Sequence, residues 1–300
     1  MTDFILSVEG TEYGKTLAMV LALISAVAHA IFGALQKGRY DPWLMRGAID
    51  IFYFIIALPI ALFVFPLPEP HVWLILLAVW VIHVAYKYFM AMAYSRGAYT
   101  VVYPVVRGTG PLVTVLAVGF VFGETFTPMQ WGGVLLLSGG IFALAGWNLH
   151  KTKVGRNVLI SALGFAFLTG VIVALYTTVD ALGMRAAINP FTFLFWFFVV
   201  DGWVFPIISF VHWKRMENPP APGPLLRKGF IGALLAFVSF GAVMLATRVG
   251  NVGEAAVLRE TSTVFAALIG WLFLKETVGP VRAGLMAIIA AGAVVVEFGG

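Results

Sequence analysis

Tyr103-Pro104-Val105-Val106-Arg107-Gly108-Thr109 is answered, 152 residues further on, by Ala255-Ala256-Val257-Leu258-Arg259-Glu260-Thr261. The same offset sets Arg96 over Arg248, Glu124-Thr125 over Glu276-Thr277, Pro128 over Pro280, Gly132 over Gly284 and Gly140 over Gly292, without a gap. Chance aligns glycines easily in a chain that holds 32 of them. It does not easily align two arginines, a Glu-Thr pair and a proline in one register. The offset is close to half of the 300 residues, so the chain reads as two copies of one unit, residues 1–150 and 151–300.

Composition says where the repeat resides. Hydrophobic residues make up 61% and charged residues 11%, against roughly 45–50% and 25% in soluble domains. Mean hydropathy is +0.97. One soluble core of this size cannot hide that much apolar surface, so a polytopic membrane protein is expected. Nucleic-acid binding and secreted-module functions are excluded with it. The net charge of +5 then marks loops rather than a nucleic-acid partner. With no cysteine, the chain forms no disulfide, thiolate metal site or cysteine nucleophile. The five histidines lack metal-protease spacing, and neither a metal nor a cofactor is expected. The N-terminal stretch carries Asp3, Glu9 and Glu12 before any Lys or Arg, unlike a signal peptide.

A spanning helix needs ~20 mostly apolar residues. Ten stretches qualify: 15–37, 43–65, 72–94, 98–122, 130–148, 157–182, 190–211, 225–246, 252–274 and 279–298. Proline-rich breakers such as Pro66-Leu67-Pro68-Glu69-Pro70 separate them. Apolar runs of this length exclude the short alternating strands of a membrane barrel. Odd-numbered loops hold twelve basic residues: Lys37, Arg39, Arg96, Lys151, Lys153, Arg156, Lys214, Arg215, Arg227, Lys228, Lys275 and Arg282. The even loops and termini hold three, Lys15, Arg185 and Arg248. Odd loops are therefore expected in the cytoplasm and both termini outside it. Five spans per half make the second copy enter the membrane upside down. The expected fold is all-α, with ten transmembrane helices as two inverted five-helix repeats, the arrangement of secondary transporters.

Gly123-Glu124 with Gly132 and Gly139-Gly140, their copies Lys275-Glu276 with Gly284 and Gly292, and Tyr103-Pro104-Val105-Val106-Arg107-Gly108 carry a resemblance. The chain resembles the drug/metabolite transporter (DMT) superfamily, EamA type. That resemblance implies ten helices in two halves and transport, with the last helix of each half outside the pathway. Many such proteins are expected to have cytoplasmic termini, which the basic-residue count contradicts here. No Walker sequence is present, so a secondary transporter in the bacterial inner membrane is the leading expectation.

Function is sought among ionisable residues inside the spans, because a charge at a helix centre costs roughly 2.5–3.5 kcal/mol even on insertion scales. Arg46 and Asp50, four apart, are read as a structural pair. His83 and Lys87 share one stripe of the third span; Lys87 either meets an interior acid such as Glu260 or Asp180, or meets substrate. Tyr103 and Arg107 share a face of the fourth span, which Pro104 and Pro111 bend. Arg107 and Arg259, as repeat mates, either clamp an anionic group between them or neutralise Glu260, Asp180 or Asp201. Tyr103, Tyr86 and Tyr176 are expected to shape the pocket, and His29 and Glu260 join Arg107, Arg259 and Lys87 as further substrate-binding candidates. His29, His83 and Asp180 are the candidates for a coupled proton, with an interhelical hydrogen bond as the other reading of His29. Glu124 is read as a turn signal, Trp43 as part of an interfacial belt, and Trp271 as deep packing. The glycines of the fifth and tenth spans serve helix packing or a homodimer.

The expected partners are a small anionic or zwitterionic metabolite (amino-acid-like, organic acid or phosphonate), membrane lipids and a coupling proton or cation. A flippase for a lipid-linked anionic head group is the alternative. An intramembrane enzyme lacks a nucleophile–base spacing, and a channel lacks a repeated filter loop.

Overall fold

The computed structural model describes residues 1–36, 40–96, 99–150, 156–272 and 279–300. Lys37, Arg39, Lys151, Lys153 and Lys275, and the repeat mates Glu276 and Thr277, lie outside the described residues, as does the Arg156 side chain. The described residues form helices and no strand. In chain order these are α1 (Thr2–Val8), α2 (Glu12–Gln36), α3 (Pro42–Phe63), α4 (Pro70–Arg96), α5 (Tyr99–Phe122), α6 (Pro128–His150) and α7 (Arg156–Ala186). There follow α8 (Pro190–Gly202), α9 (Val204–Arg215), α10 (Pro222–Val249), α11 (Val252–Arg259), α12 (Ser262–Leu272) and α13 (Pro280–Phe298). Six of them begin at a proline, whose missing N–H would be unpaired in a first turn anyway. Asp41 and Asn189 add side-chain caps, accepting from the backbone N–H of Trp43 and of Phe191.

Among the described residues, nine helical stretches are long and apolar enough to cross a membrane. Two departures from the ten expected spans matter. The seventh is interrupted at Trp203, which divides α8 from α9. The ninth is broken into α11 and α12 at Glu260-Thr261, and neither piece alone is long enough to be counted. Short i→i+3 bonds carry the chain through that break: Glu260 N–H to Val257 O and Thr263 N–H to Glu260 O, both 3.0 Å. The Thr261 hydroxyl also donates to Leu258 O at 2.6 Å. The repeat mate α5 runs unbroken through Pro104 and Pro111.

The ends of the bundle sort as alternating spans require. Lys228 lies 5.5 Å from the Tyr40 ring and His212 lies 3.6 Å from Asp41, so odd loops meet odd loops. At the other end Glu124, Arg185, Arg248 and Glu9 assemble.

The glycine faces of the fifth and tenth spans are partly used within the chain. A Cβ at Gly292 would sit 2.6 Å from Leu137 N and 2.7 Å from Gly133 O, and one at Gly140 2.9 Å from Ile289. Gly132, Gly139 and Gly284 meet nothing within 4 Å. Gly292→Ala is therefore expected to prise α13 from α6 at a cost of ~1–3 kcal/mol. It should lower the melting midpoint in detergent, with Gly132→Ala unchanged as the control.

Candidate substrate site

Two groups of buried charge occupy the interior. The first is built from α3, α4, α7 and the end of α8. Lys87 Nζ lies 2.6 Å from Asp50 Oδ2 and 2.7 Å from Asp201 Oδ1, and donates also to the Asp201 carbonyl at 2.7 Å. Its partners are thus neither of the acids expected. The interruption at Trp203 explains this, because it ends α8 beside Asp201 and leaves the Asp201 carbonyl free to accept. Arg46 Nε reaches Asp50 Oδ1 at 2.8 Å, and Nη2 stands 3.6 Å from Asp201. The i, i+4 pair is there, in a larger network than its spacing foretells. His83 sits between acids: Nε2 is 3.1 Å from Asp180 Oδ2 and Nδ1 is 3.8 Å from Asp201 Oδ1. Two fixed cations therefore face three carboxylates, and His83 lies at the uncompensated one.

The second group joins α5 to the α11–α12 break. Arg107 Nη1 donates to Glu260 Oε1 at 2.7 Å, and its guanidinium carbon lies 5.3 Å from the Tyr103 ring centroid. Arg259 is buried, with its guanidinium carbon 4.8 Å from the Phe240 centroid. Its Nε and Nη2 have no hydrogen-bond partner, and neither does Glu260 Oε2.

A cavity of about 320 Å³ separates these groups from one end of the bundle. That volume suits a small metabolite. Of the residues picked from sequence, His29, Tyr86, Lys87, Tyr103, Arg107 and Tyr176 line it. Arg259, Glu260, His83 and Asp180 do not. Arg259 instead borders two small spaces of about 10 Å³ each, one with Asp180 and one with Glu260. The two arginines are thus brought near one carboxylate, but only Arg107 faces the large cavity. Tyr176 lies tilted against the His83 ring at 4.6 Å and meets Tyr86 edge-on at 5.1 Å, linking the wall to the buried charge behind it. His29 Nδ1 is 3.4 Å from the Ser239 hydroxyl. Among the described residues, no three His, Asp or Glu side chains converge as a metal-holding group.

The cavity extends to Tyr40, Pro42 and Trp43, between α2 and α3. Trp43 stacks on Phe205 with ring centroids 5.9 Å apart, so it is a cavity wall rather than a belt residue. Trp271 is exposed, not packed deep. The opposite end is tied shut. Gly123 takes φ +67°, which reverses the chain after α5 and presents Glu124. Glu124 accepts from the N–H groups of Val252 and Gly253, at 2.9 and 3.0 Å, and so caps α11. It also lies 3.3 Å from Arg185, which donates to Gly250 O at 2.8 Å. Arg248 donates to the carbonyls of Met184 and Arg185 at 2.7 Å and pairs with Glu9 at 3.1 Å. From sequence, Glu124 was a turn residue and the two arginines only exceptions to a charge bias. The Gly-Glu at a helix end was the one local signal of their joint role.

Residues 160–298 match the EamA-like transporter family. No curated protein matches the chain in sequence. A solved crystal structure covers 95% of this chain and 96% of its own, with a TM-score of 0.74 at 18% identity, which is a likeness of fold. With that family matched over its second half and that fold along its length, the chain is a multi-pass membrane protein similar to the EamA-like transporters.

Proposed function

We propose that this protein is a secondary transporter that carries a small anionic or zwitterionic metabolite across the bacterial inner membrane by alternating access. Residues 1–150 and 151–300 are its two inverted halves, and the odd loops face the cytoplasm. The observation that carries this reading is a cavity lined by Arg107 and aromatic side chains that extends to one end of the bundle, while the other end is held by the Glu124 cap on α11. Arg107 holds the acidic group. Tyr103, Tyr86 and Tyr176 flank the rest of the solute, and Lys87, already paired with two acids, sets the local potential. His83, held between Asp180 and Asp201, is the first candidate for a coupled proton by its position. His29, on the cavity wall, is the second candidate.

The flippase reading draws on a groove lined by Val27, Ile31, Phe265, Leu268 and Ile269. That groove can seat an acyl chain, yet it offers a head group no polar side chain, so the soluble-metabolite reading is preferred.

The test is a thermal-shift screen of purified protein against amino acids, organic acids, phosphonates and amines, followed by counterflow of each hit in proteoliposomes. Arg107→Ala is expected to weaken an acidic hit about tenfold or more, since a hydrogen bond to a charged group is worth roughly 1.5–3 kcal/mol and each 1.4 kcal/mol is about tenfold. Counterflow of an acidic hit that is indifferent to Arg107→Ala contradicts the assignment.

A further inference from the structure

We propose that Glu260 is a built-in surrogate for the transported solute's carboxylate: a monoanion displaces it from Arg107, and Arg259 receives it. This rests on the reading above and adds the charge class of the solute and the residue that it must displace.

Four observations support it. Glu260 spends only one of its two oxygens, Oε1, on Arg107, and its buried Oε2 has no partner. Arg259 is nine-tenths or more buried, and its Nε and Nη2 are also without partners. Both residues border one space of about 10 Å³, room for about one water molecule and no more. Glu260 stands at the break between α11 and α12, where backbone torsions can change without unwinding a helix.

The charge exchanged is that of one carboxylate. In these two groups Arg46, Lys87, Arg107 and Arg259 face Asp50, Asp180, Asp201 and Glu260. Arg107 makes a direct ion pair with Glu260, whereas Arg259 lies beside Asp180 and Glu260 with its Nε and Nη2 unbonded. An incoming carboxylate that pairs with Arg107 releases Glu260, and Arg259 is the cation already beside it, so a monoanion is the solute that substitutes for Glu260 one for one. Leaving either partner alone would strand a buried charge. The exchange strands neither, and it moves a carboxylate at the break that joins α11 to α12. A neutral solute has no means of driving it.

The test uses purified full-length protein and benzoate as the probe, with benzamide as its neutral counterpart, read as apparent affinity from thermal shift. Glu260→Gln is expected to tighten benzoate about tenfold, because Arg107 no longer has an internal competitor, and to leave benzamide unchanged. Glu260→Asp, one methylene shorter, should tighten it less and serves if the first variant does not fold. Arg259→Gln is expected to weaken benzoate about tenfold while Glu260 is present, and to have no effect once Glu260 is Gln. Benzoate binding that is unchanged or weakened in Glu260→Gln overturns the proposal. So does an Arg259→Gln effect of equal size in both backgrounds, and so does absence of benzoate binding in every variant. Access of a cysteine placed at Val173 to both membrane faces separates the two levels. If that access is intact, only the surrogate role has failed; if it is lost, alternating access has failed as well.

Discussion

Lys87→Met is expected to destabilise the protein by ~3–5 kcal/mol, the usual cost of breaking a buried ion pair from one side. Lys87 is buried, and its ammonium supplies the shortest contact to Asp50 and to Asp201. After its removal, Arg46 alone must compensate both acids, and it lies 3.6 Å from the second. Methionine fills nearly the same volume, so little of the loss comes from a void. Neutralising the partner should restore part of it. Asp50→Asn with Lys87→Met is expected to melt above Lys87→Met alone, because the double change removes a charge of each sign. Melting midpoints in detergent of Lys87→Met, Asp50→Asn and the double variant decide the matter. If the double variant is simply the sum of the singles, these side chains do not act as one charge unit.

Glu124→Ala should loosen the closed end. The side chain caps α11 through two backbone N–H groups and pairs with Arg185. Loss of a helix cap costs ~0.5–2 kcal/mol, and the part-exposed ion pair adds ~0–1 kcal/mol. These contacts hold together the end of the bundle opposite the cavity, so under the proposed alternating access their loss falls on the state closed at that end. The population open at that end should rise about tenfold or more, at about 1.4 kcal/mol per decade. Hydrogen–deuterium exchange reads it directly: the amides of Val252 and Gly253 should exchange about tenfold faster, with the middle of α3 unchanged. Equal exchange in both proteins would mean that Glu124 caps a helix that never moves.

Much of this was legible in the sequence. Apolar runs of about twenty residues fix helices because lipid leaves the backbone no other partner. The break at Trp203 had a local signal, Gly202 before it and Pro206 three residues after it, although both lie inside one continuous apolar run. The break at Glu260-Thr261 had none, since it aligns with Gly108-Thr109, where the unbroken α5 continues. Pro104 and Pro111 pointed to irregular backbone in the first copy, whereas it is the second copy that breaks. The site was legible as a set of residues but not as pairs. Helical spacing puts His83 and Lys87 on one stripe, yet which acid each meets depends on where α8 ends. Arg107 and Arg259 align at the 152-residue offset and are unequal in place, because Gly108 stands where Glu260 follows Arg259. The cap formed by Glu124 escaped because its partners are about 128 residues away.

Two-sided access at Val173 tests alternating access most directly. Val173 lines the large cavity and also borders the small space beside Arg259 and Glu260. The chain has no cysteine, so Val173→Cys gives a single reactive thiol. An impermeant maleimide is applied to whole cells and to inverted membrane vesicles. Labelling from both faces is expected, faster from the odd-loop face in the resting protein, with Glu124→Ala raising the rate from the other face. Labelling from one face only, unaltered by Glu124→Ala, would contradict alternating access through this cavity.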